Sequence, residues 1–314
     1  MADNRNGTSG GYLVGIRALR ENYDVIELSK EIKKQGDILS LSQRLGVNRR
    51  TLSTAFHEGR VLSLFSELDK SKASILSALR TNRELKIFAE KYDLNNTSAR
   101  DLIKLIKKWR EDIQQNPLLL ITPEEHEIII GTLLGDGSIR KRETNSCLRF
   151  SHSLAQKDYC EFKKEIFKNF QISEFVERKR LSKNMITIDF ATKTHFVFNY
   201  YRNLFYKNNK KIITNEVLDQ ITPRALAFWL CDDGSYCQRD KYIILCTNSF
   251  SLEEHRLMKE FFNQKFNLNP TIGFRDNKYY YLRFIKKDTE KLVNLVKKFI
   301  PDSMKYKIGE RDGK

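Results

Sequence analysis

Over residues 13–113 apolar positions recur at helical spacing, whereas from 120 to 308 short apolar helices alternate with runs in which every second residue is apolar. The first pattern predicts an all-α segment and the second an α+β one. A helix expected over 97–113 places Leu102, Ile103, Leu105, Ile106 and Trp109 beside Lys104, Lys107, Lys108 and Arg110. Pro117 cannot continue that helix and also restrains Asn116. A boundary is therefore expected around 113–120, giving a helical domain over 11–115. The first ten residues are polar and rich in Gly and Asn, and read as a frayed leader.

Within the helical part, the stretch from Leu41 to Phe56 reads as a short amphipathic helix, a turn at Gly46, the apolar Val47, a capping Asn48 and a second amphipathic helix. Asn48 can accept a bond from the orphan amides of the helix it precedes. The unit resembles the helix-turn-helix of DNA-binding proteins, with Arg49, Arg50, Ser53 and Thr54 as the exposed set that would reach base edges and phosphates. A weaker copy 47 residues later sets Phe88 on Leu41, Tyr92 on Leu45, Asp93 on Gly46 and Asn95 on Asn48. The alternative is a helical bundle whose basic residues are its solvated surface.

The rest of the chain repeats itself. Thr122-Pro123 and Thr222-Pro223 are helix starts, with a hydroxyl cap and proline in the first turn. Each opens a short apolar helix ending in Asp-Gly-Ser, with Asp136 and Asp233 lying 97 residues apart. Leu148-Arg149-Phe150 aligns with Ile244-Leu245-Cys246, and Phe170 with Phe266, both at an offset of 96. Strand-like runs follow at 175–180, 185–190, 271–275 and 279–284, then closing helices at 194–205 and 289–299. The order α-β-β-α-β-β-α thus occurs twice, over 121–215 and 216–310. This predicts an α+β fold of tandem pseudo-twofold repeats, preceded by the all-α domain. Helices covering one face of each antiparallel sheet leave a second face, and Arg178, Arg180, Lys183, Arg275, Lys278 and Arg283 are its candidate basic residues. Two such faces side by side make a saddle suited to a duplex; ordinary solvated sheet faces are the alternative.

Charge sharpens this picture. Lys and Arg total 56 against 40 Asp and Glu, a net +16 with pI near 9.5, so a polyanionic partner is expected. At 314 residues the chain has room for two or three domains. No apolar run approaches the length that spans a bilayer, and no secretory leader pattern is visible. The five cysteines form no CxxC pair, which excludes a zinc finger and suits an intracellular, reducing compartment, bacterial, phage or organellar. A phosphate-binding glycine loop is missing, so a small-molecule nucleotide enzyme is not supported.

A carboxylate at a helix C-terminus is disfavoured by the dipole, and two of them juxtaposed also repel. Small residues, Gly131 and Gly135 on one helix with Ala225 and Ala227 on the other, would let the two helices pack about a pseudo-twofold axis and bring Asp136 and Asp233 together. Divalent cations would relieve both costs, and such a site suits metal-assisted phosphodiester cleavage on two strands.

Residues 129–137, Ile-Ile-Gly-Thr-Leu-Leu-Gly-Asp-Gly, and 226–234, Leu-Ala-Phe-Trp-Leu-Cys-Asp-Asp-Gly, together resemble the motif pair of single-chain LAGLIDADG homing endonucleases. Their context is similar to the subgroup of the yeast mitochondrial omega endonuclease. The resemblance, spanning about 121–308, implies metal-dependent cleavage of both strands of a long asymmetric DNA site by a monomer with no obligate protein partner and no membrane association. It implies Mg²⁺ or Mn²⁺ at Asp136 and Asp233, with the carbonyls of Gly135 and Asp232, and Ca²⁺ as an occupant that does not support cleavage. It also implies a basic residue near the end of each repeat: Lys307 in the second and Lys210 in the first, with Lys211 close behind because Ile213 replaces the usual proline. Phe228 departs from the small residue that Gly131 supplies, making the helix contact asymmetric. The helical extension exceeds what the catalytic fold needs and would lengthen the recognised site or act as a repressor. The alternative function is a non-cleaving nucleic-acid-binding protein on the same scaffold, an intron maturase or a transcriptional regulator.

Overall fold

The computed structural model describes residues 16–32, 35–79, 81–180 and 185–310; the expected leader and the basic candidate Lys183 lie outside them. The chain divides into two compact units, Met1–Asn116 and Pro117–Lys314. No helix among the described residues is long and apolar enough to cross a membrane.

The described residues of the first unit form helices joined by turns: α1 (Ile16–Asn22), α2 (Val25–Glu31), α3 (Gln35–Leu45), α4 (Arg49–Leu64), α5 (Lys70–Leu76), α6 (Asn82–Lys91) and α7 (Ala99–Gln115). Between α3 and α4 the chain turns at Gly46, buries Val47 completely and caps α4 with the Asn48 side chain, which accepts from the Arg50 amide. A bond from Ser42 Oγ to the Val47 carbonyl at 2.8 Å closes the turn. Arg49 and Arg50 are exposed at the start of α4. The weaker copy is built differently. Its connection runs from Tyr92 to Ser98, and Ser98 rather than Asn95 caps α7, two residues later than the expected helix start. Asp93 takes the amides of Asn95 and Asn96 instead, which lengthens the turn. Arg20 pairs with the buried Glu58 at 2.7 Å and ties α1 to α4.

The second unit contains α8 (Pro123–Leu134), β1 (Ser138–Lys141), β2 (Ser146–Ser153), α9 (Lys157–Ile166), β3 (Val176–Arg180), β4 (Met185–Ala191) and α10 (Val197–Phe205). A small hairpin, β5 (Tyr206–Lys207) and β6 (Lys210–Lys211), and α11 (Asn215–Asp219) lead to the second series. That series is α12 (Pro223–Asp233), β7 (Gly234–Cys237), β8 (Tyr242–Leu245), α13 (Leu252–Phe266), β9 (Thr271–Arg275), β10 (Tyr279–Phe284) and α14 (Lys286–Val296). Both sheets are antiparallel with one order, β1-β2-β4-β3 and β7-β8-β10-β9. The tandem α-β-β-α-β-β-α architecture expected from the sequence is the one observed.

α8 and α12 start where their threonine caps and prolines dictate, Thr122 closing a full capping box with Glu125. They pack on each other at the centre of one core that runs through both repeats. A Cβ on Gly131 would stand 2.1 Å from the Ala225 carbonyl oxygen, so this approach needs glycine. Phe228 fills the other side of the contact, its ring against Tyr159 and Phe162.

The register corrects the repeat alignment by one residue. Ser138 pairs with Arg149 in the first sheet and its motif counterpart Ser235 with Ile244 in the second, so Arg149, not Leu148, corresponds to Ile244. Burial agrees: Leu148 and Phe150 face the core as Ile243 and Leu245 do. In a strand such a slip exchanges the two faces.

Candidate active site

The carboxyl ends of α8 and α12 bring the two motif turns together, and a basic chain reaches each of them. Lys211 Nζ donates to the carbonyls of Gly135 and Gly137 at 3.0 and 2.9 Å. Lys307 Nζ donates to those of Asp232 and Gly234 at 3.4 and 2.8 Å. In motif numbering these are the same two positions, one on either side of the final aspartate. Lys210, the sequence's first choice, is exposed in the β5–β6 hairpin, and strand alternation turns Lys211 inward instead. A run of two lysines could not decide between them.

The carboxylates differ sharply. Burial pushes the Asp233 carboxyl well above the usual carboxylate range, and Asp136 and Asp232 push the same way against the pull of Lys211 and Lys307. Burial also raises Asp136, but contact with His152 and the charges of Lys163 and Lys307 outweigh it and leave this carboxyl below its usual value. Burial lowers the Lys211 ammonium, opposed by the charges of Asp233, Asp136 and Asp232.

Asp232 is held apart from its neighbour by a buried network. Its Oδ1 accepts from Lys163 Nζ and Tyr159 Oη, both at 2.9 Å, and its Oδ2 from the Asp136 amide at 3.3 Å. Gly135 is where Asp232 crosses: a Cβ there would lie 2.4 Å from that of Asp232. Lys163 is fully buried and also reaches His152 Nε2 at 3.1 Å. An ammonium only donates, so Nε2 accepts and the proton of a neutral imidazole sits on Nδ1, which faces Asp136 Oδ2 at 3.6 Å. Asp136, His152 and Asp232 each bring a candidate ligand atom within 4.8 Å of the others, but with Nε2 accepting and Nδ1 protonated the imidazole would ligate a cation only after giving up its bond to Lys163 or its proton. Sequence reasoning missed His152 and Lys163. The signal was present in β2, where His152 continues the core-facing series Leu148, Phe150.

Beside this centre lie the two open sheet faces. In the first, Arg149, Ser151, Thr187, Asp189 and Arg178 share the face opposite the core residues Phe150, Ile188 and Phe190. Arg180 pairs with Met185 at the end of β3. In the second, Arg275, Tyr279, Tyr281, Arg283, Tyr242 and Ile244 lie opposite Leu245, Leu282 and Phe284. Lys278 sits in the β9–β10 turn with its ammonium 5.1 Å from the Tyr279 ring centre. Arg149 was not among the sequence's candidates, although its place between the core residues Leu148 and Phe150 puts it on the open face.

The LAGLIDADG DNA endonuclease family model matches residues 126–292, which contain both motif turns and both sheets. The chain belongs to this family. It is 35% identical over 214 residues to the probable intron-encoded endonuclease 1 of Wickerhamomyces canadensis, covering 65% of this chain and 90% of that one. Over 221 residues it is 30% identical to the cytochrome b mRNA maturase bI2 of Debaryomyces hansenii, covering 67% of this chain and 82% of that one. Among solved structures, the homing endonuclease I-WcaI bound to its DNA recognition sequence is similar, with a TM-score of 0.55 and 30% identity over 70% of this chain and 97% of that one. The helical unit lies outside the stretch that the LAGLIDADG model matches.

Proposed function

We propose that this chain is a site-specific endonuclease that hydrolyses one phosphodiester on each strand of a long, asymmetric DNA duplex, and that it works as a monomer of the two-motif, omega-like type. The observation that carries this reading is the paired geometry of the motif turns, where Lys211 bridges the carbonyls flanking Asp136 and Lys307 those flanking Asp233. Asp136 and Asp233, with the carbonyls of Gly135 and Asp232, would hold Mg²⁺ or Mn²⁺. Carboxylate and carbonyl oxygens suit such hard cations, and a cation there would relieve the cost that burial, and after it the charges of Asp136 and Asp232, impose on the Asp233 carboxylate. A cation bound there supplies an acidified water and neutralises charge on the phosphate. Lys211 and Lys307 add fixed positive charge where negative charge builds during hydrolysis. Lys163 keeps Asp232 neutralised as an ion pair, so Asp232 acts through its carbonyl while the final aspartates keep their side-chain oxygens for the metal.

The basic sheet faces would take the duplex, and the helical domain over 11–115 would extend the contact through Arg49 and Arg50 at the start of α4. The test is cleavage of a random-sequence duplex library in Mg²⁺, with the cut ends sequenced. The parent should enrich one motif, and Asp136→Asn or Asp233→Asn should abolish cutting while keeping binding to that motif. Cleavage by either variant at the parental rate would refute the metal assignment. Changing Arg49 and Arg50 together to Ala should weaken binding to the full site by roughly 1–3 kcal/mol and leave a DNA truncated to the central footprint bound as before; equal losses on both would remove α4 from recognition.

A second reading, a non-cleaving RNA maturase on the same scaffold, draws on the relative named as a cytochrome b mRNA maturase. Failure of the parent to cut any duplex, with tight binding to structured RNA, would favour it.

A further inference from the structure

An acidic side chain stands in the middle of the first open sheet face. Asp189 is 7% exposed, and its Oδ2 forms an ion pair with Arg178 Nε at 2.8 Å. Its other oxygen accepts from Ser151 Oγ at 2.6 Å and lies 3.4 Å from Thr187 Oγ1. On a surface meant for a polyanion, this carboxylate weakens the attraction that the neighbouring arginines provide. Its effect on Arg178 is of a different kind. A guanidinium paired at Nε with a fixed carboxylate is restrained in orientation, and the Arg178 side chain is still 56% exposed, so it remains available to whatever lies on the face. Two parallel N–H donors held this way match the O6 and N7 acceptors of guanine in the major groove.

The second repeat sharpens the point. Following the registers outward from Ser138 and Ser235, Thr187 corresponds to Tyr279, Asp189 to Tyr281 and Arg178 to Arg275. Among the described residues no carboxylate forms an ion pair with Arg275. It lies over the Tyr281 ring at 5.9 Å and donates to Asn248 at 3.4 Å.

We propose that Arg178 reads a guanine in the half-site facing the first repeat, and that Asp189 is the positioning residue which turns a general phosphate-attracting arginine into a base-specific one. The inference rests on the DNA-binding reading above and adds which base class is read, and by which pair. It is tested with the full-length chain in metal-free buffer, by selecting bound duplexes from a random-sequence library and measuring affinity for the selected and for random duplexes.

The parent should select a motif with one G·C pair that Arg178→Ala loses while the other positions persist. Asp189→Asn should cut the preference for that pair by about tenfold and at the same time raise affinity for random duplexes, because a negative charge has left the DNA face. That opposite sign is one a misfolded variant does not produce. Arg178→Lys, at an exposed position, should keep random-duplex affinity and lose the preference. If Asp189→Asn and Arg178→Lys select the parental motif unchanged, or if Arg178→Ala weakens every position evenly, Arg178 is a phosphate contact and the proposal fails. A parent that binds duplexes but selects no motif overturns the proposal alone; one that binds no duplex overturns the DNA-binding reading with it.

Discussion

The two repeats share helix caps, strand order and register, yet they hold equivalent side chains by different chemistry. At the motif turns, position seven is Gly135 in one and Asp232 in the other, and the final aspartate is lowered in its titration in the first and raised in the second. Around the first turn a buried lysine neutralises the surplus acid Asp232 and also bonds His152; in the second repeat Thr247 occupies the place of His152 and bonds His255 at 2.6 Å. On the sheets, Arg178 is set by a carboxylate and Arg275 by an aromatic ring. A duplicated backbone therefore carries two different surfaces and two inequivalent centres. Backbone pairing and core packing constrain the pleat and the buried parity, whereas side chains facing the ligand or the axis are free to diverge.

The comparison is broken most severely at the motif aspartates. Asp136→Asn and Asp233→Asn should each reduce double-strand cleavage to background, and nicking assays with each strand labelled should show whether the partner centre still cuts alone. Equal residual nicking of both strands by both variants would mean the centres do not divide the strands between them.

The next effect is on stability. Lys163→Met leaves Asp232 buried and unpaired, which should cost about 3–5 kcal/mol. Lys259→Met on α13, in the other repeat, should stay within roughly 0.5 kcal/mol, as surface changes usually do. Adding Asp232→Asn should recover part of the Lys163 loss. Denaturant unfolding measures all three, and a mild Lys163→Met would show that the buried pair does not hold this end of α12.

A smaller effect should carry opposite signs in the two repeats. Asp233 binds its proton more tightly in the folded chain than in the unfolded one, so stability falls as pH rises from the ordinary carboxylate range to the raised value. In chelator at neutral pH, Asp233→Asn should remove that cost and raise the melting temperature by roughly 2–4 °C, the change about 1 kcal/mol produces in a unit of this size. Asp136 has the reverse linkage: its stabilisation is present above the unfolded carboxylate range and is lost as pH falls through the lowered folded value. Asp136→Asn should therefore lower the melting temperature at neutral pH, by less, because its side chain is 44% exposed and partly screened. Shifts of the same sign in both variants would contradict the inequivalence of the two turns.

Much of this molecule was legible as a string of residues. The threonine–proline starts of α8 and α12, the repeated Asp-Gly ends and the alternating runs at β3, β4, β9 and β10 are local signals, because caps, turns and pleats depend on near neighbours along the chain. The same locality carried the turn at Gly46 and the cap at Asn48, and misplaced the start of α7, where Asp93 and Ser98 competed for the role assigned to Asn95. Asp136 and Asp233 could be paired because a duplicated motif implies an axis.

What only the tertiary structure decided depends on distances between residues far apart in the chain. That Lys211 rather than Lys210 reaches the Gly135 and Gly137 carbonyls depends on which way a two-residue strand faces. The one-residue slip between Leu148 and Ile243 is invisible in composition, since both registers place apolar residues together, and only interstrand pairing reveals that Arg149 corresponds to Ile244. The partners of Asp232 and Asp189 lie on other elements, at Lys163, Tyr159, Ser151 and Arg178. A carboxylate's role is set by the charges packed around it, and that packing exists only once the chain has folded.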